Sequence, residues 1–235
     1  MRFGVLGVLS VWTDDGRPVR VPELKVRTLL AELLIHDDGP VPAGKLADDL
    51  WPDRLPADPA ASLQVRVSQL RRALSAAEPG GRALVAYQPP GYLLRATSVD
   101  SRRFLDLTAR ARTTSAPRAR ADLLSDALAL WRGPALADFA DAPFAQAAIA
   151  RLESARLAAL EDQAEVRLAL GEHAALTTEL AALLDRHPLR ERLWAAYLLA
   201  LYRSGRQGAR GEGGQFVASP GDPVGGSRRH LGPAA

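Results

Sequence analysis

A chain of 235 residues is long enough for one large domain or two small ones. Its hydrophobic content of 47% and charged content of 24% are those of a globular protein, and a net charge of +3 makes it no polycation. The absence of cysteine excludes disulfides, iron–sulfur clusters and cysteine-ligated zinc.

The first twelve residues, MRFGVLGVLSVW, are apolar but short, contain two glycines and run into Thr13-Asp14-Asp15. A β-strand fits better than a secretion signal. Phe3, Val5, Leu9 and Val11 alternate, Asp14-Asp15-Gly16 signals a turn, and Val19 and Val21 alternate again, so residues 2–21 read as short strands. Leu24, Leu29, Leu30, Leu33 and Leu34 stripe a helix that Asp37-Asp38-Gly39-Pro40 stops. A short helix over 43–51 turns Leu46 and Leu50 inward. Residues 52–59, with three prolines and two aspartates, form a loop.

Residues 59–74, PAASLQVRVSQLRRAL, form an amphipathic helix with three arginines and no acid. Leu63, Val67, Leu70 and Leu74 make one apolar stripe. Val65, Ser68, Gln69 and Arg72 fall on the far side, and Arg66 and Arg71 flank the stripe. Such a helix can bury one face and offer the other to a DNA major groove, whose base edges carry a hydrogen-bonding code. Residues 84–87 and 92–94 flank Gln88-Pro89-Pro90-Gly91 as a hairpin. Strands, three helices and a hairpin give an expanded helix-turn-helix with a wing.

From residue 98 the pattern is nearly all helix. Gly171 and Gly205 are 34 residues apart, and each ends an Ala/Leu-rich helix. At that offset Leu160 matches Trp194 and Leu168 matches Tyr202. Thirty-four is the period of tetratricopeptide helix pairs, so an all-α tetratricopeptide-like domain is expected over 98–207. The repeat calls for another helix after Gly205. Residues 208–235 are instead dense in Gly and Pro and are expected to be a disordered tail, native or frame-disrupted.

Several motifs together carry a family resemblance. They are Met1-Arg2-Phe3-Gly4-Val5-Leu6-Gly7, Leu50-Trp51, Val67-Ser68-Gln69-Leu70-Arg71-Arg72-Ala73-Leu74, Pro89-Pro90-Gly91-Tyr92, Leu130-Trp131-Arg132-Gly133-Pro134 and His187-Pro188-Leu189-Arg190-Glu191. Residues 1–96 resemble the OmpR-type winged helix, and the later part resembles the bacterial transcriptional activation domain. As an ordered set over residues 1–207 they resemble the SARP-type antibiotic regulatory activators of actinobacteria. The resemblance implies a mainly α fold with a small β part. It also implies an activator that binds direct repeats in double-stranded DNA near promoters, as a homodimer on DNA. It further implies contact with RNA polymerase, with loop 52–59 facing it. Members often carry Arg at the wing position held here by Gln88.

The candidate DNA-binding residues are therefore Val65, Ser68, Gln69 and Arg72 for base edges and Arg66 and Arg71 for phosphates, with Gln88 and Tyr92 from the wing. His36 beside Asp37 and Asp38 reads as a solvated turn rather than a metal site. The acids at 161–165 read as the wet face of a helix. No spacing of His and acids supports metal binding, no nucleophile–base pairing supports catalysis, and no cofactor is expected. The longest apolar run, residues 193–202, is far below the roughly 20 residues of a membrane span, which predicts a cytoplasmic protein. The competing reading is a helical-repeat protein-interaction module with weak or no DNA binding.

Overall fold

The computed structural model describes residues 1–36 and 39–211. Asp37, Asp38 and residues 212–235 lie outside the described residues, and so do most of the solvated turn expected at 36–38 and of the tail expected over 208–235. The fold is mainly helical with two small sheets: a winged helix-turn-helix followed by a helical array.

Strands β1 (Arg2–Gly4) and β2 (Ser10–Trp12) pair antiparallel with Phe3 opposite Val11. The residues after the Asp14-Asp15-Gly16 turn add only an isolated bridge between Trp12 and Pro18, not the further strand expected there. Helix α1 (Leu24–Ile35) follows, then β3 (Val41–Pro42), α2 (Ala43–Leu50) and α3 (Pro59–Ala77). A single turn, α4 (Gly81–Leu84), leads into β4 (Val85–Gln88) and β5 (Gly91–Leu94), which form the wing hairpin. The wing sheet has the order β3-β5-β4. Gly91 lies so close to β3 that a Cβ there would sit 1.8 Å from the Val41 carbonyl oxygen.

Strand β6 (Ser98–Val99) returns to the first sheet and pairs parallel with β1, giving the order β2-β1-β6. Helices α5 (Asp100–Thr113) and α6 (Pro117–Leu128) pack on each other. Pro117 stands in the first turn of α6, where its missing N–H costs nothing. Two 3₁₀ turns at Ala137–Phe139 and Pro143–Ala145 precede the long α7 (Gln146–Ala169). The last pair is α8 (His173–Arg186) and α9 (Glu191–Gly211).

The 130–134 motif has a structural task that composition did not suggest. The Arg132 guanidinium donates to the Val8 carbonyl at 3.1 Å and to Ser10 Oγ at 3.0 Å, pairs with Asp100 at 3.0 Å, and stacks on Trp12 at 4.9 Å. Asp100 accepts the backbone N–H groups of Val5 and Leu6, and Asp138 accepts that of Leu9 while pairing with Arg27. The loop between β1 and β2 is thus held by side chains from the start of α5 and from residues 132–138. One hydrophobic core runs from Phe3 to Val166 without a break near residue 97. A second, smaller core lies among the end of α7, α8 and α9.

Two expectations need correction. Gly205 does not end its helix, since α9 continues to Gly211; only Gly171, at φ +86°, is a helix stop. The acids at 161–165 are not simply a wet face. Glu161 and Asp162 are buried, and together with Glu165 they pair with Arg192 of α9. A periodicity wheel shows the side an acid occupies, but not that a second helix brings an arginine to it.

Candidate nucleic-acid interface

Helix α3 starts where the sequence supplies a start signal. The Asp58 carboxylate accepts the Ala61 N–H at 2.9 Å, and Pro59 occupies the first turn. Leu63, Val67, Leu70 and Leu74 are all buried against α1, α2 and the wing. That fixes the rotation of the helix about its axis, so the opposite face is set by the same four residues. Val65, Ser68 and Arg72 are exposed on it, and Gln69 is half-buried between them.

The six α3 residues singled out for DNA contact occupy three environments. Val65, Ser68 and Arg72 face solvent, and among the described residues Arg72 has no ion pair. Arg71 is turned toward the wing: its Nε and Nη2 donate to the Val85 carbonyl at 3.0 and 2.8 Å. It ties the helix to β4 as a two-pronged strap. Arg66 and Gln69 meet a carboxylate from another element. Glu23, the residue before α1, pairs with Arg66 Nη1 through Oε2 and accepts from Gln69 Nε2 at 3.2 Å through Oε1. Arg66 Nη1 also donates to Gln69 Oε1 at 2.9 Å, closing a three-membered ring of side chains. Glu23 stands at φ +59°, a region few non-glycine residues enter and one that costs on the order of 1–3 kcal/mol.

On the wing, Gln88 is exposed at the tip end of β4. Tyr92 is only 8% exposed and packs edge-on against Tyr87 with ring centroids 5.3 Å apart. Tyr87, 59% exposed, is the aromatic that faces outward. Strand alternation does not carry this signal: Tyr87 shares a face with Val85 and with Tyr92 directly across the hairpin, and it is exposed because it lies toward the tip end of β4, beyond the core that buries Val85, Tyr92 and Leu94. Glu23 and Tyr87 are the two residues of this candidate face that the sequence alone did not single out.

No group of three or more His, Asp or Glu among the described residues is placed to hold a metal ion. His36 Nδ1 instead lies 2.9 Å from the Glu32 carbonyl oxygen. No helix among the described residues is long and apolar enough to cross a membrane.

Comparison with known proteins adds to this geometry. Residues 99–209 match the model of the bacterial transcriptional activator domain. The regulatory protein DnrI of Streptomyces peucetius is 37% identical over 217 residues, an alignment covering 88% of this chain and 79% of that protein. The chain belongs to the SARP-type family of bacterial transcriptional activators. The regulatory protein AfsR of Streptomyces coelicolor is 38% identical over 213 residues, covering 88% of this chain and 21% of AfsR. The transcriptional regulatory protein EmbR of Mycobacterium tuberculosis is 37% identical over 210 residues, covering 87% of this chain and 54% of EmbR. This chain therefore spans between a fifth and about half of those two SARP relatives. The solved structure of EmbR in complex with a low-affinity phosphopeptide superposes with a TM-score of 0.81 at 35% identity, over 88% of this chain and 56% of that one.

Proposed function

We propose that this SARP-family chain is a sequence-specific regulator that binds double-stranded DNA through α3 and the wing. In this reading it acts in the cytoplasm as an activator of a biosynthetic gene cluster. It sits as a pair on direct repeats near promoters and helps RNA polymerase engage. The observation that carries the reading is the α3 face: four residues buried on one side, with Val65, Ser68, Gln69 and Arg72 left on the other beside a hairpin wing. That width and polarity suit a major groove. The regulator names of AfsR, DnrI and EmbR agree with it.

The division of labour follows from the environments. Arg72 and Gln69 read base edges with Val65 and Ser68. Arg66 lies at the edge of the same face. Arg71 acts through the wing strap, and Gln88 with Tyr87 lies against the backbone. Selection of bound duplexes from a random library, followed by gel shifts across a salt series, tests the reading. Gln69→Ala should lose preference at one base, a cost on the order of 1–3 kcal/mol there. Arg72→Ala should weaken cognate binding more than random binding. Binding that is insensitive to salt, or absent at low salt, defeats the proposal.

A second reading rests on α9. Its exposed side carries Trp194, Leu198, Leu201 and Tyr202, an apolar stripe that suits a protein partner. A protein-interaction module with weak DNA binding would keep partner capture in the Gln69→Ala variant and show no enriched sequence.

A further inference from the structure

The ring made by Glu23, Arg66 and Gln69 bears on how the DNA-binding face reads sequence. Glu23 occupies the position that caps α1, where an acid ordinarily accepts backbone N–H groups of the first turn. It makes no side-chain cap bond there. Its carboxylate crosses to α3 instead, held by a backbone at φ +59°.

The chemistry of the Gln69 amide shows what this achieves. A primary amide has two N–H donors and two acceptor lone pairs. One lone pair on Oε1 is taken by Arg66, at 2.9 Å, and one N–H on Nε2 is taken by Glu23, at 3.2 Å. The reverse orientation would turn N–H groups toward a guanidinium and an oxygen toward a carboxylate, and both contacts repel. The sense of the amide is therefore fixed. Because Arg66 and Glu23 are themselves paired, the ring takes the edge on which the amide oxygen and N–H lie side by side, the edge that adenine N7 and its N6 amine require, and the donor and acceptor left over point apart. The same ring ties the Arg66 charge to an acid on another helix, and Arg66 Nε is buried without a partner. A guanidinium held this way releases little counterion when DNA arrives.

We propose that Glu23 is a specificity-setting residue of the DNA-binding face: it closes the bidentate edge of the Gln69 amide in a ring with Arg66, leaving Gln69 only single hydrogen bonds to offer a base, and holds Arg66 as a neutralised pair. The inference rests on the DNA-binding reading above.

The test uses the full chain as wild type, Glu23→Gln and Glu23→Gly. Each is carried through selection from a random duplex library and through gel shifts over a salt series. Glycine adopts φ +59° without strain, so E23G keeps the fold, and its thermal unfolding checks that directly. E23Q keeps the side-chain shape and removes the charge. Both variants should bind random duplex more tightly than wild type, with a salt slope steeper by about 1 as Arg66 becomes a free phosphate ligand. In E23G the freed amide edge should raise the adenine preference at one position of each site by roughly fivefold or more while the other positions stay unchanged. Wild-type base preferences and an unchanged salt slope in both variants overturn the role of Glu23 while leaving the DNA-binding reading intact. A wild-type chain that enriches no sequence and binds random duplex at no salt concentration overturns both.

Discussion

Glu32 lies in the middle of α1 with a fully buried side chain. Lys45 Nζ is 3.2 Å from one carboxylate oxygen and His36 Nδ1 is 3.1 Å from the other, with Asp49 of α2 joining the cluster. Burial pushes the Glu32 carboxyl up to about 8 from its ordinary 4.5; the hydrogen bond with Asp49 adds to this and Lys45 offsets part of it. The folded state therefore keeps a proton that the unfolded chain has already released. The stability this confers is complete below pH 4.5 and is lost as the pH rises through about 8. Between pH 6 and 7.5 the slope is close to the single-proton limit of about 1.4 kcal/mol per pH unit, a loss of about 2 kcal/mol. Glu32→Gln replaces the neutral acid by a neutral amide that can still donate to Asp49. The advantage of the variant over wild type should therefore grow by about 2 kcal/mol across that interval, or about 4–8 °C in the unfolding midpoint. Thermal unfolding of both proteins by far-UV circular dichroism at pH 6.0 and 7.5 measures it. An identical gap at the two pH values refutes the reasoning, because it requires a carboxylate ionised throughout and neutralised by Lys45.

Other expectations concern the parts that hold α3 in place. Arg132→Ala removes two backbone or hydroxyl contacts, the Asp100 pair and the stack on Trp12, and should cost about 2–4 kcal/mol in urea unfolding, with Arg132→Lys giving little rescue. Gly91→Ala forces a Cβ against the Val41 backbone carbonyl and should separate β3 from β5, seen as a loss of about 1–3 kcal/mol and faster amide exchange in the wing. Asp58→Ala removes the cap of α3 and should cost about 1 kcal/mol, read from the shift in urea midpoint at unchanged m-value.

The helices were legible wherever an apolar stripe was long enough to set a phase. The face of α3 could be drawn from Leu63, Val67, Leu70 and Leu74 because burial of four residues over three turns leaves one solution for the rotation. Strands of two residues were not legible. Val41–Pro42 and Ser98–Val99 carry no periodicity, and their pairing is decided by Tyr92 and Phe3 in segments far away in sequence. The same limit applies at the interface. Arg66 and Arg71 were correctly placed beside the stripe, but their partners, Glu23 and the Val85 carbonyl, lie on other elements. A helical wheel reports direction and is silent on what waits there.

The β1–β2 loop shows how closely the winged helix depends on the rest of the chain. Val5 and Leu6 give their N–H groups to Asp100, Leu9 gives its own to Asp138, and the carbonyls of Val5 and Leu6 accept from Leu136 and Arg132. All of these partners lie beyond residue 96, as does β6, which covers the open edge of β1. A chain ending at residue 96 would therefore present an unpaired strand edge and uncover Phe3, Val5 and Leu6, which are at most 1% exposed in the structure. Each backbone group left without a partner but still shielded costs about 1–3 kcal/mol, and these five are affected at once, together with the Gly7 and Val8 carbonyls, which accept from Ala137 and Arg132. The expected outcome is a fragment that aggregates or unfolds at low urea, whereas a chain extended through α7 retains the loop contacts and the core of Phe3 to Val166. Equal urea midpoints for the two fragments would mean that α3 is held by residues 1–96 alone.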